Sequence, residues 1–170
     1  LIEMEIKVEV LNTTFKANLD KPIDLSVEVK KGEGSSMAFF APEVNIDPIC
    51  AGSFIGNVSK GGAVNTNIVS FNPHGNSTHT ESLAHISEEK LPVNHIFKKY
   101  IWLAYLCSVN LRSEGLDRFV PVEEIEKIDL PLPEAIILRT SPESYSFSGN
   151  NPPYLCEKAT AYLCNNDVKH

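Results

Sequence analysis

No C-x-x-C pair occurs in the chain, and its four cysteines, Cys50, Cys107, Cys156 and Cys164, are spread over 170 residues. Such sparse cysteine excludes a disulfide scaffold. All four read as reduced, structural thiols, and Cys107, inside the apolar run IWLAYLCSV, is expected to be buried. Positive charge is also scarce. Fifteen Lys and Arg stand against 22 Asp and Glu, a formal net charge of -7. Binding by phosphate neutralisation needs a basic face, so nucleic acid is not an expected partner. No apolar run approaches the roughly 20 residues of a membrane-spanning helix, and no signal peptide is recognised. Membrane association is therefore not expected either. The balance points to a cytoplasmic protein that handles a small-molecule substrate. Three N-x-S/T sequons, at Asn12, Asn57 and Asn76, would matter only on a secretory route. Internal repeats and low-complexity tracts are lacking.

What is present reads as one α/β domain spanning residues 1–170. The stretch IEMEIKVEV alternates apolar and charged residues, as a half-buried strand does. A second alternating run, IDLSVEV, follows NTTFKANLDKP, and the two runs could form a hairpin with a long loop. Residues 31–63 are rich in Gly, Pro, Ser and Asn and read as loops with short extended pieces. AVNTNIVSF reads as a strand, SEEKLPVNHIF as a helical turn and loop, and YIWLAYLCSV as a strand covered on both faces. VPVEEIEKI reads as a short helix with Pro near its start, and EAIILRT as a buried strand. NPPYLCEKATAYLCNND reads as the clearest helix, capped by Asn150 or Asn151, with Pro152 in its first turn and Asn165 and Asn166 at its end. Only DVKH follows, and Val168 looks like the start of a further strand. The domain is therefore expected to be incomplete at its C-terminus. Strand and helix alternation in the second half predicts a mixed sheet.

The stretch PHGNSTHTESLAHI, residues 73–86, holds three of the five histidines, His74, His79 and His85, and a carboxylate, Glu81. Imidazole and carboxylate are ligands for zinc and manganese. His79 and Glu81 are two apart and share a face of extended chain, and His85 is six beyond His79, also an even spacing. His74 is five before His79, so a regular strand would point it away. Gly75 and Asn76 tolerate the backbone of a bulge or tight turn that would bring it back. The competing reading is a polar loop whose histidines bond to backbone. GNSTH is not the G-x-S-x-G elbow of a serine hydrolase, and Ser77 and Thr78 read as loop-positioning residues. Phe39, Phe40, Phe54 and Tyr154 fall in loop-rich stretches and are candidates to line a pocket. Trp102 reads as core or interface, His95 as structural, and SEEK as a solvated charged turn.

HGNSTHTESLAH resembles the signature H-x-G-T-H-x-D-x-P-x-H of the cyclase family of metal-dependent hydrolases, which includes kynurenine formamidases. His74, Thr78, His79, Glu81 and His85 carry the match. IDLS, LPVNHI, AIILRT and YSFSGNNPPYL extend the likeness from about Ile23 to the last residue. The family's Asp is Glu81 here, its Pro is replaced within SLA, and one residue is inserted between the first two histidines. The resemblance implies a mixed-sheet swivelling β/β/α domain, commonly a homodimer, with a divalent metal, zinc or manganese. It implies His74, His79 and Glu81 as metal ligands and His85 as the general acid/base. It also implies a further His and Glu downstream of His170. The activity implied is hydrolysis of an amide, formamide, cyclic amide or lactone carbonyl. Alternatives are a non-catalytic binding or scaffold protein that retains the fold, and a regulatory subunit acting as a dimer partner.

Overall fold

The computed structural model describes residues 3–10, 12–140, 149 and 151–170. Two antiparallel strands, β1 (Glu5–Val10) and β2 (Thr13–Asn18), form an N-terminal hairpin with Val8 opposite Phe15 and Ile6 opposite Ala17. This corrects the expected pairing of the first strand with IDLSVEV. The turn formers around TTFKAN bracket a strand and do not form one long loop. Asn12 adopts the left-handed backbone (φ 65°), which lets the chain reverse within a tight turn. IDLSVEV contributes no strand. The Asp24 carboxylate accepts the Ser26 N–H at 2.9 Å, a local turn that competes with pairing.

Four short strands follow: β3 (Asn45–Pro48), β4 (Cys50–Ala51), β5 (Phe54–Ile55) and β6 (Asn67–Ser70). β3 pairs antiparallel with β6, and β4 with β5. After β6 come two single helical turns, α1 (Pro73–Asn76) and α2 (Val93–Ile96), joined by the segment that carries Glu81 and His85.

The second half holds the hydrophobic core. Strands β7 (Ala104–Val109), β8 (Arg112–Glu114) and β9 (Asp117–Val120) lead into α3 (Val122–Ile125), β10 (Ala135–Thr140), β11 (Tyr154–Leu155) and α4 (Glu157–Asn165). β7 and β10 run parallel, as do β9 and β11, whereas β8 and β9 are antiparallel. The architecture is thus mixed α/β, built of small sheets. Val109, Val120, Ile125, Ile128 and Ala159 form the buried cluster, with Ile125 and Ala159 fully enclosed. Glu124 ties this core to the end of β7 by accepting the Asn110 N–H at 3.1 Å and pairing with Lys127. Those contacts hold its carboxyl below the usual range.

Two expectations change here. α4 starts at Glu157, not near Pro152, because Tyr154 and Leu155 pair with β9 as β11 before the helix begins. Its N-cap is Cys156, whose Sγ accepts the Ala159 N–H at 3.4 Å. Asn151 instead donates to the Leu116 carbonyl and the Asp117 carboxylate, and Asn150 lies outside the described residues. The helix ends where expected, at Asn165, with Asn166 as C-cap. The second change concerns β7. One face of the β7/β10 pair packs Cys107, Ile136 and Leu138 on the core, but Leu106 and Ile137 on the other face are 56% and 44% exposed. The strand is covered on one face only, and Cys107 is half-buried. Among the described residues no helix is long and apolar enough to cross a membrane.

Candidate metal centre

The turn after β6 determines the site. Asn72 caps α1 by accepting the His74 N–H at 2.9 Å, and Pro73 supplies a preset first-turn backbone. The turn closes through Asn76 N–H to Asn72 O at 2.8 Å. Asn76 is fully buried, and both ends of its amide are used. Its Oδ1 accepts the Asn72 N–H at 2.8 Å, and its Nδ2 donates to Ser36 O at 2.9 Å and Pro42 O at 3.2 Å. Gly75 has no room for a side chain. A Cβ built on it would overlap the Ala41 Cβ and lie 2.6 Å from the Ala38 carbonyl oxygen. Thr78 accepts the Val27 N–H at 2.8 Å, and Ser77 donates to Pro73 O at 3.1 Å, so both position the loop.

This turn restores His74 to the side of its partners, and the inserted residue is absorbed within it. Glu81 Oε2 lies 2.9 Å from His74 Nδ1, 3.5 Å from His79 Nε2 and 3.6 Å from His85 Nδ1. His79 Nε2 is 3.1 Å from His74 Nδ1. The His74 and His85 rings stack at 4.3 Å, and the His79 ring meets His74 edge-on at 4.7 Å. All four residues singled out in the sequence therefore converge on one carboxylate oxygen. His79 Nδ1 lies 3.1 Å from Ser77 O, the partner that would hold its proton and leave Nε2 free as a donor atom.

The donor set suits a small divalent cation. Ligands 2.0–2.1 Å from a tetrahedral centre sit roughly 3.3 Å from one another, and the separations among His74, His79 and Glu81 are 2.9, 3.1 and 3.5 Å. His74, Glu81 and His85 also offer one ligand atom each within 4.8 Å of one another, a group able to hold a metal ion. The cluster opens into a cavity of about 480 Å³, walled by Ala84, Leu91, Pro92 and Val93 and reached by Lys90. A wall that holds the charged end of SEEK was not foreseen. The Ser82 hydroxyl donates to Leu91 O and folds that segment back over the histidines. Such closure leaves no periodic trace in the sequence. None of Phe39, Phe40, Phe54 and Tyr154 lines the cavity. Tyr154 packs near Phe119 at 5.9 Å, drawn there by β11 pairing with β9. His95 is exposed on α2 and takes no part. Trp102 is half-buried and stacks on His170.

Residues 23–170 match a family model described as "Putative cyclase". No curated protein and no solved structure matches the chain at a significant level.

Proposed function

The chain belongs to the cyclase family, and on that premise we propose that it is a metal-dependent hydrolase of amide, formamide or cyclic amide carbonyls, similar to kynurenine formamidases. One observation carries the reading: three imidazoles meet a single carboxylate oxygen at the mouth of a cavity. His74, His79 and Glu81 would hold the ion, zinc or manganese. When bound, such an ion supplies Lewis acidity to a carbonyl and lowers the pKa of water toward neutrality.

The remaining chemistry falls to the chain's own groups. His85 lines the cavity with its Nδ1 3.6 Å from Glu81 Oε2, and its ring is the group beside the ion available to exchange a proton with substrate. The ring takes a proton from the attacking water and returns it to the leaving nitrogen. The C–N bond breaks, the hydroxyl ends on the acyl carbon, and the amine departs neutral. Leu91, Pro92 and Val93 offer an apolar wall for the body of the substrate. No covalent nucleophile is required.

The test is metal analysis of the purified protein and of His79→Ala, paired with a formamide hydrolysis assay. We expect metal and activity to fall together in the variant. Unchanged metal content would remove the assignment.

The swivelling-domain homodimer belongs to the same proposal. Its support is the apolar face of β7/β10, where Leu106 and Ile137 are exposed. Light scattering at micromolar concentration should give twice the chain mass. A monomer at all concentrations would contradict it.

A further inference from the structure

A second cavity, of about 290 Å³, shares no residue with the metal cavity. Val10 and Phe15, from the apolar face of the hairpin β1/β2, form one wall. Tyr105 of β7 and the loop between α3 and β10 form the rest. The hairpin precedes residues 23–170, the span that matches the family model, so family membership does not account for this site. Tyr105 also alternates with Leu106 along β7, which puts it on the opposite face from the one assigned to the homodimer.

The cavity runs from the hydrophobic core to the surface. Ile128 is buried in the core cluster and Leu132 packs against it, whereas Asp129 is exposed. Among the described residues that line the cavity, Asp129 alone is charged. Its carboxylate makes no hydrogen bond or ion pair among the described residues. Phe15 and Tyr105 are 43% and 49% exposed and take no ring contact among those residues. A carboxylate beside unstacked aromatic rings is the chemistry that recognises an organic cation. The anion supplies the charge, and the ring faces attract an ammonium. An anionic ligand would meet Asp129 with no counter-charge, and a neutral one would gain nothing from it. Pockets that enclose a ligand begin at about 300 Å³, so the occupant is small, on the order of one ring with a short arm.

We propose that this cavity binds a small amine on an apolar body, an arylalkylammonium, at a site separate from the metal centre. The apolar body reaches toward Ile128 and Leu132, and the ammonium stays at Asp129 between the two rings.

Calorimetry with phenethylamine, phenethyl alcohol and phenylacetate tests it. The amine should bind wild type about tenfold more tightly than the alcohol, the discrimination of a partly screened charge-assisted contact, and the acid more weakly than either. Asp129→Asn should remove the tenfold difference while melting within about a degree of wild type, as surface changes usually do. Phe15→Leu should cut amine binding about threefold, through loss of the ring face. Glu81→Gln should leave the preference intact, because Glu81 borders the other cavity. Equal binding of amine and alcohol by wild type overturns the proposal, as does amine binding unchanged in Phe15→Leu. A preference that survives in Asp129→Asn, or one lost in Glu81→Gln, puts the amine elsewhere and overturns it too.

Discussion

Replacing Glu81 by Gln should lower affinity for zinc or manganese at least about 100-fold and drop formamide hydrolysis about 1000-fold or to background. The reason is geometric. Oε2 of this residue is the atom that all three imidazoles face, at 2.9, 3.5 and 3.6 Å. An amide keeps the shape but loses the negative charge that offsets a divalent cation. A thousandfold loss corresponds to about 4 kcal/mol of transition-state stabilisation. Thermal stability separates this role from a structural one. The Glu81 side chain is 47% exposed, so without metal the variant should melt within about a degree of wild type, as surface changes usually do. Saturating zinc should raise the wild-type midpoint by several degrees, since a ligand at 100 times its Kd adds about 2.7 kcal/mol. The variant should show no such rise. Equal zinc stabilisation of the two proteins would defeat the metal centre. Glu81→Asp, the family's own residue type, should retain the charge but withdraw it by one methylene. Affinity is expected to lie between the other two proteins.

The second large effect comes from a position with no chemistry. Gly75→Ala should destabilise the protein by about 3 kcal/mol, at the upper end of overpacking costs. The added methyl meets a side chain on one side and the Ala38 carbonyl on the other. That carbonyl belongs to backbone already tied to the turn, through Ala38 N–H to Gly75 O at 3.0 Å, so it has little freedom to yield. For a chain of this size the midpoint should fall by roughly 10 °C. His74 rides on the same turn, so metal affinity should fall as well. A midpoint within 2 °C of wild type, measured by calorimetry, would show that the turn can relax. It would also detach the packing of Ala38 and Ala41 from the placement of His74.

The convergence of His74 and His79 on Glu81 was legible from spacing, whereas His85 arrives on the 3-10 turn Leu83–His85 and not on extended chain. Parity along an extended chain puts His79 and Glu81 on one face. The same rule identified His74 as the residue needing a kink, and Pro73–Asn76 supplies it. The cavity wall at residues 90–93 was not legible, because it depends on one hydroxyl contact, Ser82 to Leu91, that closes a loop without any periodic signal. In the fold, strands β1, β6 and β10 and helix α3 form where the patterns place them, but β10 is open on its Ile137 face rather than buried, and the apolar residues of β1 and β6 are largely exposed. β2 was hidden because Asn12 and Asn18 look like the ends of a loop, whereas Asn12 is the turn before the strand and Asn18 its last residue. Tyr154 and Leu155 read as helix in the sequence because apolar spacing alone cannot tell the last residues of an extended segment from the first turn of α4. The uncovered face of β7 was unreadable for a different reason: hydrophobicity reports that a strand wants cover, not which surface provides it.

The amide of Asn76 has a bearing on biosynthesis as well as on the turn. It heads an N-S-T tripeptide, yet it is fully enclosed and donates to two carbonyls. An oligosaccharide on that nitrogen and the folded turn exclude one another. A chain sugar-coated there during translocation could never seat His74, whereas Asn12, exposed at a hairpin tip, could carry the same group harmlessly.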